Sequence, residues 1–111
     1  MAPIDIRPPD LRTVRRILWE HVPDLDVRAF GSRVSGVARE TSDLDLVLMT
    51  SEPLDFLRMA ELREAFTQSN LPYLVDLVDW ASTSPRFRAL IDRRYSVIQT
   101  GRRSERSRTS G

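Results

Sequence analysis

The sequence predicts an α/β protein in which a small β-sheet is covered by helices. Three observations carry this. Short runs dense in leucine and β-branched residues recur along the chain, segments with apolar residues at helical spacing alternate with them, and 111 residues at 41% hydrophobic content supply one modest core and no second.

Each element has a local reason. Pro8-Pro9-Asp10 opens a helix whose apolar stripe is Leu11, Val14, Ile17 and Leu18, and Val22-Pro23 ends it. Val27 to Phe30 is a short strand broken by Gly31-Ser32, after which a polar stretch containing Gly36 leads to the apolar run Leu44 to Met49. Ser51-Glu52-Pro53 reads as the start of a second long helix, since proline is tolerated in the first turn, with Met59, Leu62 and Phe66 behind it. Ser69-Asn70-Leu71-Pro72 stops that helix. Leu74 to Val78 is a third strand, Ser84-Pro85 begins a last helix through Leu90 and Ile91 towards Arg94, and Val97-Ile98-Gln99 forms a fourth, short strand before Gly101. One domain is expected over residues 1–101, followed by a disordered Arg/Ser-rich tail over 102–111.

Composition removes several chemistries. With no cysteine there is no disulfide framework, cysteine zinc site or thiol nucleophile, and the single His21, at a helix end, builds neither a multi-histidine metal site nor a Ser/His/Asp set. All 17 basic residues are arginine, so a Schiff base and the lysine of a Walker A loop are also excluded. Four arginines and one glutamate give the last ten residues a charge of +3, which leaves −2 on residues 1–101. A mildly acidic body offers no footprint for nucleic acid, and direct nucleic-acid binding is not expected. No secretory leader or membrane-length apolar run is recognised, and the expected location is cytoplasmic.

The chemistry concentrates between Gly31 and Asp45. Asp43 and Asp45 stand two apart at the head of a strand, so both project from one face. Carboxylates held that close repel each other, a strain most easily relieved by a cation such as Mg²⁺, which takes one or two carboxylates plus phosphate oxygens. Upstream, Gly31-Ser32 ends the first strand where glycine exposes main-chain N–H groups that, with a serine hydroxyl, cradle phosphate without a lysine. Arg33 and Arg39 are at hand to neutralise further phosphate charge. Singly, a Gly-Ser bend is an ordinary turn and Thr-Ser-Asp an ordinary loop end. Together, at this spacing and between two strands, they point to a nucleotide.

These residues carry a family resemblance. Gly31-Ser32, the ten residues Arg33 to Ser42, then Asp43-Leu44-Asp45, with Phe30-Gly31-Ser32-Arg33 and Ser42-Asp43-Leu44-Asp45-Leu46 as its flanks, resembles the core motif of the minimal nucleotidyltransferases of the DNA polymerase beta superfamily. That family carries a third carboxylate on a later strand in a Val-Asp-Leu-Val context, which Leu74-Val75-Asp76-Leu77-Val78-Asp79 supplies. Asp76 and Asp79 differ by an odd number, so only one of them joins the pair on a continuous strand; the family pattern selects Asp76 and leaves Asp79 as a strand-end or loop residue. The resemblance extends over about residues 10–101. It departs at Val34-Ser35-Gly36, where relatives often show Ala-Arg-Gly, so an arginine is missing beside the nucleotide.

The resemblance implies a small mixed β-sheet of nucleotidyltransferase type, in which Asp43, Asp45 and Asp76 are catalytic and hold two Mg²⁺ ions. Gly31, Ser32, Arg33 and Arg39 would bind the nucleotide, with ATP as donor. Relatives that modify small molecules append a further domain for the acceptor, whereas minimal members act as antitoxins that transfer AMP to a tyrosine of a helical HEPN ribonuclease toxin. A HEPN-type toxin is therefore the expected partner; exposed apolar residues from the helices would form the contact surface, with Trp80 and Phe87 as candidates, although residues of this type are more often core. Two alternatives stand beside it: a binding module that neutralises by contact alone, and a nucleotidyltransferase acting on a small molecule or RNA.

Overall fold

Three of the expected strands lie where β-branched and leucine residues are densest, and helices fall between them. A computed structural model describes residues 3–102. The order is α1 (Pro8–His21), β1 (Val27–Phe30), α2 (Ser32–Ser35), β2 (Leu44–Leu48), α3 (Phe56–Thr67), β3 (Val75–Asp79), a 3-10 turn at Trp80–Ser82, α4 (Pro85–Arg93) and β4 (Ser96–Gln99).

The strands form one mixed sheet in the order β3-β2-β1-β4. β1 runs antiparallel to β2 and to β4, whereas β2 and β3 are parallel and joined through α3. Consequently the end of β1 and the beginnings of β2 and β3 meet at one edge of the sheet. Alternation along β2 sends Leu44, Leu46 and Leu48, all fully buried, to one face. There they join Val27 and Ala29 of β1, Leu77 of β3 and Ile98 of β4 under Val14, Ile17 and Leu18 of α1 and Met59, Leu62 and Phe66 of α3. Burying a side chain of this size contributes about 1.5–3 kcal/mol, so this face holds the sheet rigid behind the site.

The opposite face carries Phe30, Asp45 and Asp76, and α4 covers part of it. Phe87 sets its ring edge against Phe30 with centroids 5.6 Å apart. Arg28, on the same face of β1 as Phe30, bonds Asp92 of α4 at 3.3 Å and lies over the Tyr95 ring at 4.2 Å.

Three expectations need correcting. The polar stretch after Gly31 holds a helical turn, α2, too short to show a period. The second long helix starts at Phe56, because Asp55, and not Pro53, caps it by accepting the Arg58 N–H at 3.1 Å. Trp80 and Phe87 are only partly exposed, engaged with Arg88 and Phe30 respectively, while Trp19, Val37, Phe56, Leu57, Leu74 and Leu90 are the large apolar residues most open to solvent. At the C-terminus, Arg102 is tied by its N–H to the Pro23 carbonyl at 2.7 Å. The remainder of the expected tail, 103–111, lies outside the described residues.

Candidate active site

The site begins at the bend after β1. Gly31 has φ 82° and ψ −155°, a backbone conformation that a side chain would strain. A Cβ at this position would also overlap the Asp45 carboxylate, lying 3.2 Å from Cγ and nearer still to Oδ2. Bare backbone is therefore what allows Asp45 its place. The Gly31 carbonyl accepts the N–H groups of Val34 and Ser35 at 3.0 Å each, which winds the chain into α2 and leaves the Ser32 and Arg33 N–H groups ahead of any intrahelical acceptor.

β2 and β3 bring the carboxylates together. In their parallel register Asp45 stands opposite Asp76, so the two side chains leave the same face, and Asp43 precedes Asp45 by one full alternation. The electrostatics agree with this placement. Asp45 has its pKa pushed up to about 6, first by burial and then by the negative charges of Asp76 and Asp43. Among the described residues none of the three carboxylates has a hydrogen bond or ion pair to offset that repulsion. Nor do acidic and imidazole side chains there form a ready-made cage of three or more ligands. The donor set still fits a hard divalent ion: acceptor-only oxygens, unpartnered, mutually repelling and open on one side.

The loop that delivers Asp43 is organised from behind. Arg33 is 6% exposed, and its guanidinium donates to the carbonyls of Ser42 (2.9 Å), Asp5 (3.0 Å), Glu40 (2.9 Å) and Arg39 (3.3 Å) while lying 3.9 Å from the Tyr73 ring centre. The expected nucleotide ligand is thus turned inward. Arg39 remains exposed; its N–H donates to Ser42 Oγ at 2.8 Å, and its side chain borders a depression of about 520 Å³ lined also by Asp10, Thr41 and Tyr73. A second depression of about 420 Å³ lies beside Asp43, Phe66 and Val75. Asp45 and Asp76 line neither; Asp76 is exposed and Asp45 half-buried. Ser35 is exposed at the end of α2.

Asp79 is the last residue of β3, and its carboxylate accepts from the Ser82 N–H at 2.8 Å and the Leu54 N–H at 3.2 Å. It stands apart from the other acids. Sequence reasoning missed Tyr73, which stacks on Arg33 and donates its hydroxyl to Asp10 at 3.3 Å, with its own pKa pushed up to about 12 by burial and the Asp10 charge. No sequence period marks it, because its partners come from the other end of the chain.

The family model for polymerase beta nucleotidyltransferases matches residues 17–102, from within α1 through β4. The chain belongs to that family. Within it, this nucleotidyltransferase is 53% identical over 98 residues to a Haemophilus influenzae protein described as "Probable protein adenylyltransferase MntA", covering 88% of this chain and 86% of that one. Its fold is similar to that in a crystal structure of a toxin-antitoxin with AMP-PNP, with a TM-score of 0.68 and 25% identity over 85% of this chain and 75% of the other. A structure of tri-AMPylated Shewanella oneidensis HEPN toxin in complex with MNT antitoxin shares the fold at a TM-score of 0.65 and 22% identity, over 87% of this chain and 74% of that one.

Proposed function

We propose that this nucleotidyltransferase uses Mg²⁺ to transfer AMP from ATP to a hydroxyl, that of a tyrosine, on a HEPN-type ribonuclease toxin, and so acts as its antitoxin in the cytoplasm. The observation that carries this reading is the pairing of Asp45 with Asp76 on one face of β2 and β3, with Asp43 just ahead of β2 close enough for its charge to act on Asp45, and with Asp45 seated against Gly31. The 53% identity to a protein described as an adenylyltransferase supports the choice of AMP, and the likeness to a toxin-antitoxin structure holding an ATP analogue supports both donor and partner. No helix among the described residues is long and apolar enough to cross a membrane.

The roles follow from position. Gly31 and Ser32 present main-chain N–H groups and a hydroxyl to the β- and γ-phosphates, and exposed Arg39 adds charge from the loop. Asp43 and Asp45 would hold one metal ion on the triphosphate, and Asp76 with Asp45 a second. Bound there, Mg²⁺ supplies the positive charge that offsets phosphate repulsion and eases ionisation of the acceptor hydroxyl. Asp76, exposed and without a partner, accepts the hydroxyl proton. The acceptor oxygen bonds to the α-phosphorus as its bond to the bridging oxygen breaks, and pyrophosphate leaves in line.

The test is to incubate the chain with ATP, Mg²⁺ and its neighbouring HEPN-type gene product and weigh both proteins by mass spectrometry. The partner should gain one or more AMP units, and Asp76→Asn should slow the transfer by about 10²- to 10⁴-fold. No AMP on the partner overturns the reading. Full neutralisation by Asp76→Asn would instead assign the protein to contact-only inhibition.

A further inference from the structure

We propose that Arg33 is a positioning residue that sets the spacing between the phosphate-binding bend and the metal-binding aspartates, and that it does not ligate phosphate itself. The proposal rests on the nucleotidyltransferase reading of the site and deepens it. Arg33 is the second residue of α2, directly after Gly31-Ser32, so its backbone belongs to the phosphate side. Its guanidinium reaches the other side. Nε donates to the carbonyl of Ser42, the residue immediately before Asp43, and Nη2 donates to Glu40 and Arg39 of the same loop. That loop is closed on itself by the Ser42 N–H on the Arg39 carbonyl at 3.0 Å and by the Arg39 N–H on Ser42 Oγ.

Two more segments meet on the same guanidinium. Tyr73 lies face-on at 3.9 Å, three residues before Asp76 and at the approach to β3. Nη1 donates to the Asp5 carbonyl at 3.0 Å, and the Asp5 N–H returns a bond to the Arg33 carbonyl at 2.7 Å, which pins the N-terminal segment across the back. One planar fork therefore touches the segments that lead into Asp43 and Asp76 while its own helix carries the Gly-Ser bend. A buried guanidinium with four of its N–H groups on carbonyls at 2.9–3.3 Å has little left for a ligand. Lysine cannot copy it, because an ammonium is a point charge with neither the fork nor the flat face.

The experiment follows Mn²⁺ by electron paramagnetic resonance on the isolated chain with a non-hydrolysable ATP analogue, so no acceptor is needed. Arg33→Lys should weaken Mn²⁺ binding in this ternary complex by about 10- to 100-fold, the range for partners that orient metal ligands. In the transfer assay the Mg²⁺ concentration for half-maximal rate should rise in parallel, while KM for ATP at saturating Mg²⁺ stays near the wild-type value. Unchanged Mn²⁺ affinity in folded Arg33→Lys overturns the proposal, as does a raised KM for ATP with an unchanged Mg²⁺ requirement, the signature of a direct phosphate contact. If Arg33→Lys does not fold, Tyr73→Leu decides: it leaves the carbonyl bonds and removes the ring together with its hydroxyl bond to Asp10, and it should weaken Mn²⁺ in the same direction. Unchanged affinity in Tyr73→Leu then overturns the proposal. Wild-type chain that binds the Mn²⁺–nucleotide but transfers no AMP overturns the acceptor assignment and leaves this inference standing; wild-type chain that binds neither overturns both.

Discussion

Asp45 is the residue on which competing forces meet. Its carboxylate is half-buried against Gly31 and faces two other negative charges, so the fold favours its protonated form and its pKa rises from 3.8 to about 6. An acid shifted upward adds stability that is complete below its unfolded pKa and is lost as pH climbs through the folded value. The metal-free protein should therefore weaken between about pH 4 and pH 6.5 on this account. Removing the charge removes the penalty: Asp45→Asn should stabilise the metal-free chain at pH 7 by about 1–2 kcal/mol, a figure reduced for solvent screening, and should give no gain near pH 4. Urea denaturation in EDTA at the two pH values checks this, and equal effects at both would show that repulsion is not the cause. That Asp43 and Asp45 share a face was legible in the sequence, because strand alternation decides it; alternation admits only one of Asp76 and Asp79 beside them, and the family resemblance, not spacing, selected Asp76. The inward turn of Arg33 was not, since the carbonyls it binds carry no mark in the residue letters.

At the scale of elements, ends matter more than middles. β3 carries two acids that differ in use because of where they sit along it. Asp76 lies near its beginning, beside Asp45, whereas Asp79 closes it and fastens both the 3-10 turn after the strand and the Leu54 N–H ahead of α3. Asp79→Ala leaves two N–H groups without their acceptor and should cost about 1–2 kcal/mol of stability, while AMP transfer at 25 °C stays at the wild-type level. Thermal melting and the transfer assay together check the split, and a loss of activity in folded protein would contradict it. The strands were readable because leucine and β-branched residues are concentrated in them. α2 was not, because four residues make one turn and hold no period. The start of α3 was displaced because a proline three residues ahead of the helix resembles one inside its first turn, and only the Asp55 side chain on the Arg58 N–H tells them apart.

For the molecule as a whole, the repelling acids make a ligand-free protein that is less stable than its core allows. Binding of Mg²⁺ with a non-hydrolysable ATP analogue should raise Tm steeply, since ligand at 100 times its Kd adds about 2.7 kcal/mol, or about 10–20 °C for a domain of this size. Nucleotide with EDTA should recover less than half of that shift; an equal shift without metal would remove the aspartates from nucleotide binding. Sheet order could not be read from the sequence, because pairing joins segments distant along the chain, yet it decides what the site can accept. β3 is an edge strand of the sheet, so among the described residues Asp76 stands on a rim with no further strand beyond it. A free alcohol arriving there would meet water on its outer flank as readily as protein. A folded macromolecule brings its own wall, and one that offers a hydroxyl from such a wall shuts out the solvent that would otherwise compete for the α-phosphorus.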